Sequence, residues 1–392
     1  MKEVVICSAA RTPIGSFQGA FGSLSASDLG AVAVKEAVSR AGATPAQIER
    51  VYMGNVLSAA MGQAPARQAV IKAGLPDSTG AVTINKVCGS GLKSVALAAQ
   101  AIRAGDSELL VAGGMESMTN APYCLPDARA GFRMGNGKII DTMIHDGLWD
   151  PYNDMHMGNC GDMVAEKYGF SREDQDAFAS ESYSRARNAQ DSGKFKDEIV
   201  PVAVPQRRGD PVMVDSDEEP QRGDPSKFDK LRPAFSKEGT VTAANASTLN
   251  DGAAALVVAS AEQADALGLK KLARIVADST AAVEPKWFTI APVQALAKLY
   301  EKTGTAAGDW DLYEINEAFS GVTMAATTEY GIDPSTVNVH GGAVSLGHPI
   351  GCSGARVLVT LLHALADRGK KTGIATLCIG GGEAVAMGVE LL

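Results

Sequence analysis

The sequence is poor in the features that several protein classes require. Among 392 residues the aromatic share is 5%, histidine occurs five times, and acidic residues outnumber basic ones to give a net charge of −9. Proteins that bind nucleic acids need a basic surface, so this charge balance argues against that class. The six cysteines include no C-x-x-C pair and give no indication of a zinc ribbon, a thioredoxin-like motif or a dense disulfide framework.

Targeting and membrane signals are also missing from the sequence. The opening M-K-E-V-V-I-C-S-A-A-R is typical of a strand and has neither the apolar region of a signal peptide nor the Arg/Ser-rich composition of a transit peptide. No uninterrupted apolar run reaches the length of a membrane-spanning helix. We therefore expect a cytoplasmic protein with free thiols and no membrane partner.

What the chain does contain predicts an α/β protein with more than one domain. It has 42 glycines and is 45% hydrophobic, enough for a large core. Residues 1–118 and the region after 250 alternate short apolar runs with helical patterns, which predicts a mostly parallel sheet covered on both faces. This reading includes a helix over Ser27–Ala41 capped by Ser27, and a strand over Thr336–Val339. Residues 119–249 are richer in Gly, Pro, Asp and Arg and are expected to be an insertion with binding loops.

The two regular regions contain one internal correspondence. V-T-I-N-K-V-C-G-S-G at 82–91, followed by a helix and E-L-L-V-A-G-G, parallels V-N-V-H and I-G-C-S-G, followed by a helix and I-A-T-L-C-I-G-G-G. If the halves are duplicates, their matching helices should meet around a pseudo-twofold axis. Strand ends from both halves would then converge on one pocket.

Cys88 is the first candidate for catalysis. It stands between a predicted strand and a glycine-led helix, whose N-terminal field favours a thiolate. Gly89 and Gly91 permit a tight turn and leave backbone N–H groups open to an acyl oxygen. The alternative is a buried core cysteine, which is what most lone cysteines are.

Three further residues have the same setting at the end of a predicted strand or in a glycine-rich turn. His348 precedes a proline, which pushes its backbone into an extended conformation, and follows Gly347. Cys378 precedes three glycines and could act as an acid or base at carbon. Asn316 follows a predicted strand, and its amide could hold a water or an oxyanion. The competing interpretations are a core or capping histidine, a small apolar filler at a sheet corner, and an ordinary turn asparagine.

Taken together, seven segments resemble the thiolase family over nearly the whole chain. They are S-A-A-R-T-P-I-G (8–15), N-K-V-C-G-S-G (85–91), A-G-G-M-E-S-M (112–118), N-A-S-T-L-N-D-G-A-A-A (245–255), N-E-A-F (316–319), G-H-P-I-G-C-S-G (347–354) and C-I-G-G-G (378–382). H-M-G at 156–158 resembles the biosynthetic, short-chain branch of that family. The resemblance implies a duplicated five-layered α-β-α-β-α fold with an inserted loop domain. Its halves would be 1–118, completed by about 250–271, and 272–392, with the coenzyme A-binding insertion at 119–249.

The resemblance also implies a reaction and a set of roles. Two molecules of acetyl-CoA would condense to acetoacetyl-CoA and CoA, and thiolysis would be the reverse. Cys88 would be acetylated, His348 would accept its proton, and Cys378 would remove an α-proton from the second acetyl-CoA. His348 and a water on Asn316 would hold the enolate oxygen, while the backbone N–H groups of Cys88 and Gly380 would form a second oxyanion site.

Coenzyme A is by the same resemblance the substrate carrier, and neither a metal nor a prosthetic group is implied. Arg222 and Lys227 would meet its phosphates, although a plain surface loop explains this basic pair equally well. Phe288 lies near the expected acyl pocket. The remaining residues implied to contact the cofactor arm are His156, Met157, Leu231, Ala243, Ala246, Ser247, Leu249 and Phe319.

Three alternatives accompany this interpretation. A β-oxidation 3-ketoacyl-CoA thiolase would share the catalytic residues and accept longer chains. A β-ketoacyl synthase typically pairs one cysteine with two histidines or with His and Asn, whereas this chain has a second cysteine in C-I-G-G-G and N-E-A-F in place of the other histidine. A non-catalytic lipid-binding relative should have lost Cys88, His348 or Cys378, and all three are present. A homotetramer is expected from the resemblance alone.

Overall fold

The computed structural model describes residues 2–392, which contain sixteen strands and ten α-helices. The strands are β1 (Val4–Arg11), β2 (Gly15–Ser16), β3 (Arg50–Gly54), β4 (Gly80–Ile84), β5 (Leu109–Ser117), β6 (Tyr123–Cys124), β7 (Ile140–Asp141), β8 (Trp149–Asp150), β9 (Met155–His156), β10 (Val202–Val204), β11 (Val212–Val214), β12 (Asn250–Ser260), β13 (Ala273–Ala282), β14 (Leu312–Ile315), β15 (Thr372–Ile379) and β16 (Glu383–Leu391). The helices are α1 (Ala26–Ala41), α2 (Pro65–Lys72), α3 (Ser90–Ala104), α4 (Met157–Tyr168), α5 (Arg172–Asp191), α6 (Ala261–Leu267), α7 (Ala291–Thr303), α8 (Ser320–Tyr330), α9 (Ala343–Leu346) and α10 (Ile350–Asp367).

The long strands lie in the order β14-β15-β16-β13-β1-β12-β5-β3-β4. The two halves of this path join through a short antiparallel contact in which Val5 pairs with Arg274 and Ile6 with Ala273. Only β3–β4, β3–β5 and β14–β15 pair in parallel, and the other pairs on the path are antiparallel. The expectation of a mostly parallel sheet is therefore wrong. The β15–β16 pair shows one cause, since a tight turn joins these strands and needs no crossover helix.

Three apolar clusters divide the molecule into five layers. One cluster packs α1 and α2 on one face of the first half of the sheet, and another packs α7 on the outer face of the second half. Between them, the largest cluster contains α3 and α10 together with the inner faces of both halves. The order is α-β-α-β-α, which confirms the fold class expected from the sequence. The insertion 119–249 contributes α4, α5 and three two-stranded ribbons to this frame.

The central helices α3 and α10 cross at a pair of glycines. A Cβ atom on Gly91 would lie 2.5 Å from the Ala355 nitrogen, and one on Gly354 would lie 2.3 Å from the Leu92 nitrogen. Each helix thus needs a glycine where the other helix's backbone passes, and the two contacts are reciprocal. This reciprocity is what the predicted pseudo-twofold repeat requires, and it places the first turns of the two helices side by side.

Two local expectations differ from the structure. Helix α1 begins at Ala26, and the residue that caps it is Ser25, which forms a capping box with Asp28. The predicted strand 336–339 is a short 3₁₀ turn over Pro334–Thr336, followed by isolated bridges from Val337 to Tyr313 and from Val339 to Gly341. Within residues 2–392, α10 is the one helix long and apolar enough to span a membrane, but 83% of it is buried between the sheets as a core helix.

Candidate active site

Cys88 lies in the turn between β4 and α3, and its side chain is almost enclosed at 8% exposure. Val87 precedes it with φ +44°, a left-handed conformation that costs a branched residue about 1–3 kcal/mol. The backbone N–H groups of Gly380 and of Cys88 itself donate towards the sulfur. The strained turn thus presents one thiol to donors from both halves of the fold.

Burial raises the pKa of the Cys88 thiol to about 11, because enclosure disfavours the thiolate more than the Gly380 and Cys88 N–H groups favour it. The expectation that the helix field yields a thiolate is therefore not met in the resting protein. Helix α3 begins two residues later, at Ser90, and its N-terminus does not outweigh the loss of solvent. A nucleophile in this state needs a base to take its proton.

His348 lies in the turn that leads into α10, and Asn250 holds its backbone. The His348 N–H donates to Asn250 Oδ1 at 2.9 Å. Gly347 has φ +103°, and any Cβ there would approach the Asn250 side chain at 2.4 Å, so glycine is required for this contact. The imidazole Nδ1 lies 2.6 Å from Ser353 Oγ and 3.5 Å from Asn316 Nδ2. Among residues 2–392, the other ring nitrogen, Nε2, is buried and has no hydrogen-bonding partner.

Burial, together with a smaller contribution from the nearby Arg356 guanidinium, lowers the pKa of His348 to about 3. The ring is therefore neutral at physiological pH. A neutral imidazole with a free nitrogen can accept a proton, and a neutral thiol can supply one. The electrostatics of the two residues therefore suit a proton transfer that accompanies nucleophilic attack.

Cys378 is fully buried near the end of β15 and lies in one apolar cluster with Met157, Phe288 and Phe319. Burial raises the pKa of its thiol well above the ordinary value, and the neighbouring Cys88 raises it further. The glycines at positions 380–382 are required for different structural reasons. Gly381 and Gly382 have φ of +88° and +86°, and a Cβ on Gly382 would lie 2.4 Å from the Val283 oxygen. Gly380 has no such strain and faces the cavity.

Two adjoining cavities meet at these residues. The smaller, of about 40 Å³, is lined by Cys88, His348 and Gly380 together with Gly147, Leu148, Met157, Ser247, Phe288, Ala318 and Phe319. The larger, of about 470 Å³, shares His348, Leu148, Met157, Ser247 and Phe319 with it. Because five residues line both cavities, a ligand in the larger cavity can extend directly towards the smaller one. The π-helical turn Met143–Leu148 forms part of both walls.

Most of the predicted coenzyme A contacts line the larger cavity. These are His156, Met157, Arg222, Ala243, Ala246, Ser247, Leu249 and Phe319. Phe288 lines the small cavity instead. Lys227 and Leu231 are not among the described residues that line either one: Lys227 is 70% exposed and pairs with Asp224 at 2.8 Å, and Leu231 is 37% exposed. Contact of all these residues with coenzyme A stays a prediction. Asn316 also lies outside both linings but beside the His348 ring.

The sequence analysis missed three residues that build this site. Ser353 contacts the His348 ring, and Asn250 holds its backbone. Glu116 is buried and accepts from Gly351 N at 2.9 Å, and also from Val56 N and Leu57 N, so it ties the start of α10 to the first half. A signal existed for each, since all three stand inside motifs quoted for the family resemblance. Only the folded chain shows what they touch.

Comparisons with known proteins agree with this architecture. The thiolase N-terminal domain matches residues 4–262, and the thiolase C-terminal domain matches residues 269–391. An acetyl-CoA acetyltransferase of Cupriavidus necator is 55% identical over 391 residues, covering 100% of both chains. One from Pseudomonas aeruginosa is 53% identical and covers 99% of both. The crystal structure of the Ascaris suum Acat5 thiolase in complex with coenzyme A superposes with a TM-score of 0.95 at 46% identity, covering 100% of both chains.

The chain belongs to the thiolase family. Two matched domains span nearly all of it, and the crystal structure of the Bacillus anthracis acetyl-CoA acetyltransferase superposes with a TM-score of 0.98 at 43% identity, covering 100% of this chain and 99% of that one.

Proposed function

We propose that this protein is an acetyl-CoA C-acetyltransferase that condenses two acetyl-CoA molecules to acetoacetyl-CoA and CoA, and runs the thiolysis in reverse. One observation carries the proposal: Cys88, His348 and Gly380, drawn from both halves of the chain, line one small cavity beside a much larger one. The relatives named acetyl-CoA acetyltransferase support the same reaction. Coenzyme A is the proposed occupant of the larger cavity, and the reaction as proposed needs no prosthetic group.

In the first half-reaction, Cys88 attacks the thioester carbon of acetyl-CoA. Its proton passes to His348 Nε2, and the tetrahedral oxyanion accepts from the N–H groups of Cys88 and Gly380. The CoA sulfur leaves with the proton of Cys378. Acetyl-Cys88, an imidazolium and the Cys378 thiolate remain, so the positive and negative charges offset each other in a buried site.

In the second half-reaction, the Cys378 thiolate removes an α-proton from a new acetyl-CoA. The enolate oxygen is held by protonated His348 and by a water on Asn316, whose Oδ1 is buried and has no protein partner among residues 2–392. The enolate carbon attacks acetyl-Cys88, and acetoacetyl-CoA forms. The departing Cys88 sulfur takes the proton back from His348, which returns all three residues to their starting forms. Removal of one oxyanion donor should cost about 3 kcal/mol.

The small cavity argues for a short acyl group. Its volume of about 40 Å³ is a few times the roughly 10–15 Å³ that a single water needs, so it suits a group of few non-hydrogen atoms. An acetyl group has three non-hydrogen atoms. Phe288 and Phe319, both buried, form aromatic walls that do not yield to a longer chain without repacking.

Incubation with acetyl-CoA alone tests the proposal. Intact mass should rise by one acetyl group, and peptide mapping should place it on Cys88. Cys88→Ala should remain unmodified, while Cys352→Ala, which removes another buried cysteine of a helix-start turn, should acetylate normally. An unchanged mass of the wild-type protein would refute the proposal. Thiolysis rates against acyl-chain length then separate it from a β-oxidation thiolase, which would retain activity on long chains.

We also propose that the protein assembles as a homotetramer in the cytoplasm. The segment 123–139 exposes apolar side chains that usually need a cover: Tyr123 at 67%, Phe132 at 51%, Met134 at 100% and Ile139 at 68%. Light scattering coupled to size-exclusion chromatography tests the assembly, and a monomer would refute it. Cell fractionation tests the location, which would be wrong if the protein were recovered with membranes or in secreted material.

A further inference from the structure

Ser353, in the first turn of α10, lies against the imidazole that the proposed reaction uses. Its Oγ is 2.6 Å from His348 Nδ1 and 2.9 Å from the carbonyl oxygen of Pro349. Ser353 is 1% exposed and His348 is 5% exposed, so water does not compete for these contacts. The Asn316 amide nitrogen, at 3.5 Å from the same Nδ1, is the more distant partner. Ser353 is therefore the nearest hydrogen-bonding partner of the ring.

The neighbouring atoms favour one direction for the hydrogen bond, in which the Ser353 hydroxyl is a third donor to a Pro349 oxygen that also accepts from the Cys352 and Ser353 N–H groups at 2.9 Å. A serine hydroxyl has one proton, and the Pro349 carbonyl can only accept. With the proton of Ser353 directed to Pro349, the Oγ lone pairs face His348, and the 2.6 Å contact requires a proton on Nδ1. The ring then carries no proton on Nε2.

The matching turn of the other half provides an internal precedent. Gly91 and Gly354 occupy equivalent places at the helix crossing, so Ser90 corresponds to Ser353. Ser90 Oγ donates to the Val87 oxygen at 2.6 Å and accepts from Lys86 N at 2.8 Å. The acceptor role is unambiguous there, because a backbone N–H can only donate. The same hydroxyl polarity at Ser353, with donation to the preceding carbonyl and acceptance from a nitrogen, gives the Nδ1–H form of His348.

We propose that Ser353 is a positioning residue that holds His348 in its Nδ1–H tautomer and thereby keeps a lone pair on Nε2 facing the small cavity. The inference rests on the proposed function, since it assigns a role in preparing the base for Cys88. The opposite tautomer would place a proton on Nε2 and leave no acceptor for the thiol. Asn250 cannot substitute for Ser353, because it binds the backbone N–H of His348 rather than the ring.

The tautomer can be observed directly in the resting protein. The ¹⁵N spectrum of histidine-labelled wild-type protein should show a protonated Nδ1 and an unprotonated Nε2 for His348, assigned by the signal lost in His348→Asn. A protonated Nε2 in the wild type would overturn the proposal without any change at position 353. This measurement uses no substrate, so it remains informative if acetyl-CoA fails to acetylate Cys88. That failure would refute the proposed function but not the tautomer of His348.

Two variants and a matched control complete the test. Ser353→Ala should shift the His348 signals towards the Nε2–H form and lower the rate of Cys88 acetylation about tenfold or more, as expected for an impaired general base. Ser353→Thr keeps the hydroxyl and should restore both. Ser94→Ala removes a buried hydroxyl from α3 that bonds only to the Gly91 and Gly113 oxygens, and it should leave the His348 spectrum unchanged. A Ser353→Ala spectrum identical to wild type would refute the role.

Discussion

Replacement of Phe288 by leucine should lengthen the acyl chain that the enzyme accepts. Phe288 is 2% exposed, lines the cavity of about 40 Å³ beside Cys88, and packs edge-on against Phe319 with ring centroids 6.5 Å apart. Leucine is smaller, so the change opens space next to the acyl site without adding a polar group. The wild-type cavity has room for an acetyl group, and the variant should have room for one or two further carbons.

The size of the effect follows from apolar burial. Each buried methylene contributes about 0.8 kcal/mol. If this energy stabilises the transition state in full, each methylene raises kcat/KM roughly fourfold, since about 1.4 kcal/mol corresponds to a tenfold change in rate. We therefore expect the C6 to C4 activity ratio to rise by about 4- to 16-fold. The variant should lose roughly 1–3 kcal/mol of stability, as is usual for core substitutions, and remain folded.

The assay is thiolysis of 3-ketoacyl-CoA substrates from C4 to C10 with free CoA. Phe228→Leu is a suitable control, because Phe228 is also buried and packs on Tyr183, but it is not among the described residues that line either cavity. Its chain-length profile should match wild type. The reasoning fails if Phe288→Leu folds and keeps the wild-type profile, or if the wild type already cleaves C8 and C10 efficiently.

Further predictions concern the proposed carbon base and the buried charges. Cys378→Ala should still acetylate Cys88 but fail to exchange the α-protons of acetyl-CoA with D₂O; normal exchange would exclude Cys378 as the base. Arg11 is fully buried and donates to Glu198 at 2.6 Å and to Asp217 at 2.7 and 2.9 Å, so Arg11→Met should reduce the free energy of unfolding in urea by about 3–5 kcal/mol. A loss below 1 kcal/mol would show that the two carboxylates do not depend on it. Burial alone would raise the pKa of Glu198, but attraction to Arg11 holds it below its ordinary value. The contribution of Glu198 to the free energy of unfolding is therefore present above about pH 4.5 and is lost as the pH falls below that value. Glu198→Gln should weaken the decrease of the free energy of unfolding at acidic pH.

The order of most elements and the principal reactive residues could be predicted because their signals are local. An apolar run that breaks into glycines marks Cys88 and Cys378; the structure places Cys378 near the end of β15, and Cys88 in the turn after β4, which ends at Ile84. Helix α3 follows the Cys88 turn, as the repeated pattern predicts. The direction of strand pairing could not be predicted, because it depends on which distant strand lies alongside. For example, β12 pairs antiparallel with both β1 and β5, which precede it by more than a hundred residues.

The protonation state of Cys88 could not be predicted from the sequence either. The field of a helix N-terminus is visible in the pattern around Cys88, but the enclosure that raises its pKa comes from Met157, Phe319 and the second half of the chain. The role of Ser353 could not be predicted either, because in the sequence it resembles an ordinary serine in the first turn of a helix. Its importance follows from the 2.6 Å contact with His348, which requires the turn at Gly347 and the contact with Asn250, 98 residues away in sequence.

The paired glycines at the α3–α10 crossing have a consequence for how the chain becomes active during synthesis. A ribosome that has released only the first repeat has exposed Cys88 with no imidazole nearby, and the second repeat alone has His348 and Cys378 but lacks Cys88. Reactivity towards acyl donors therefore begins only when the two repeats pack together. This packing requires the close crossing of α3 and α10, which the absence of side chains at Gly91 and Gly354 permits. A bulkier residue at either position would collide with the backbone of the other helix and hold the repeats apart.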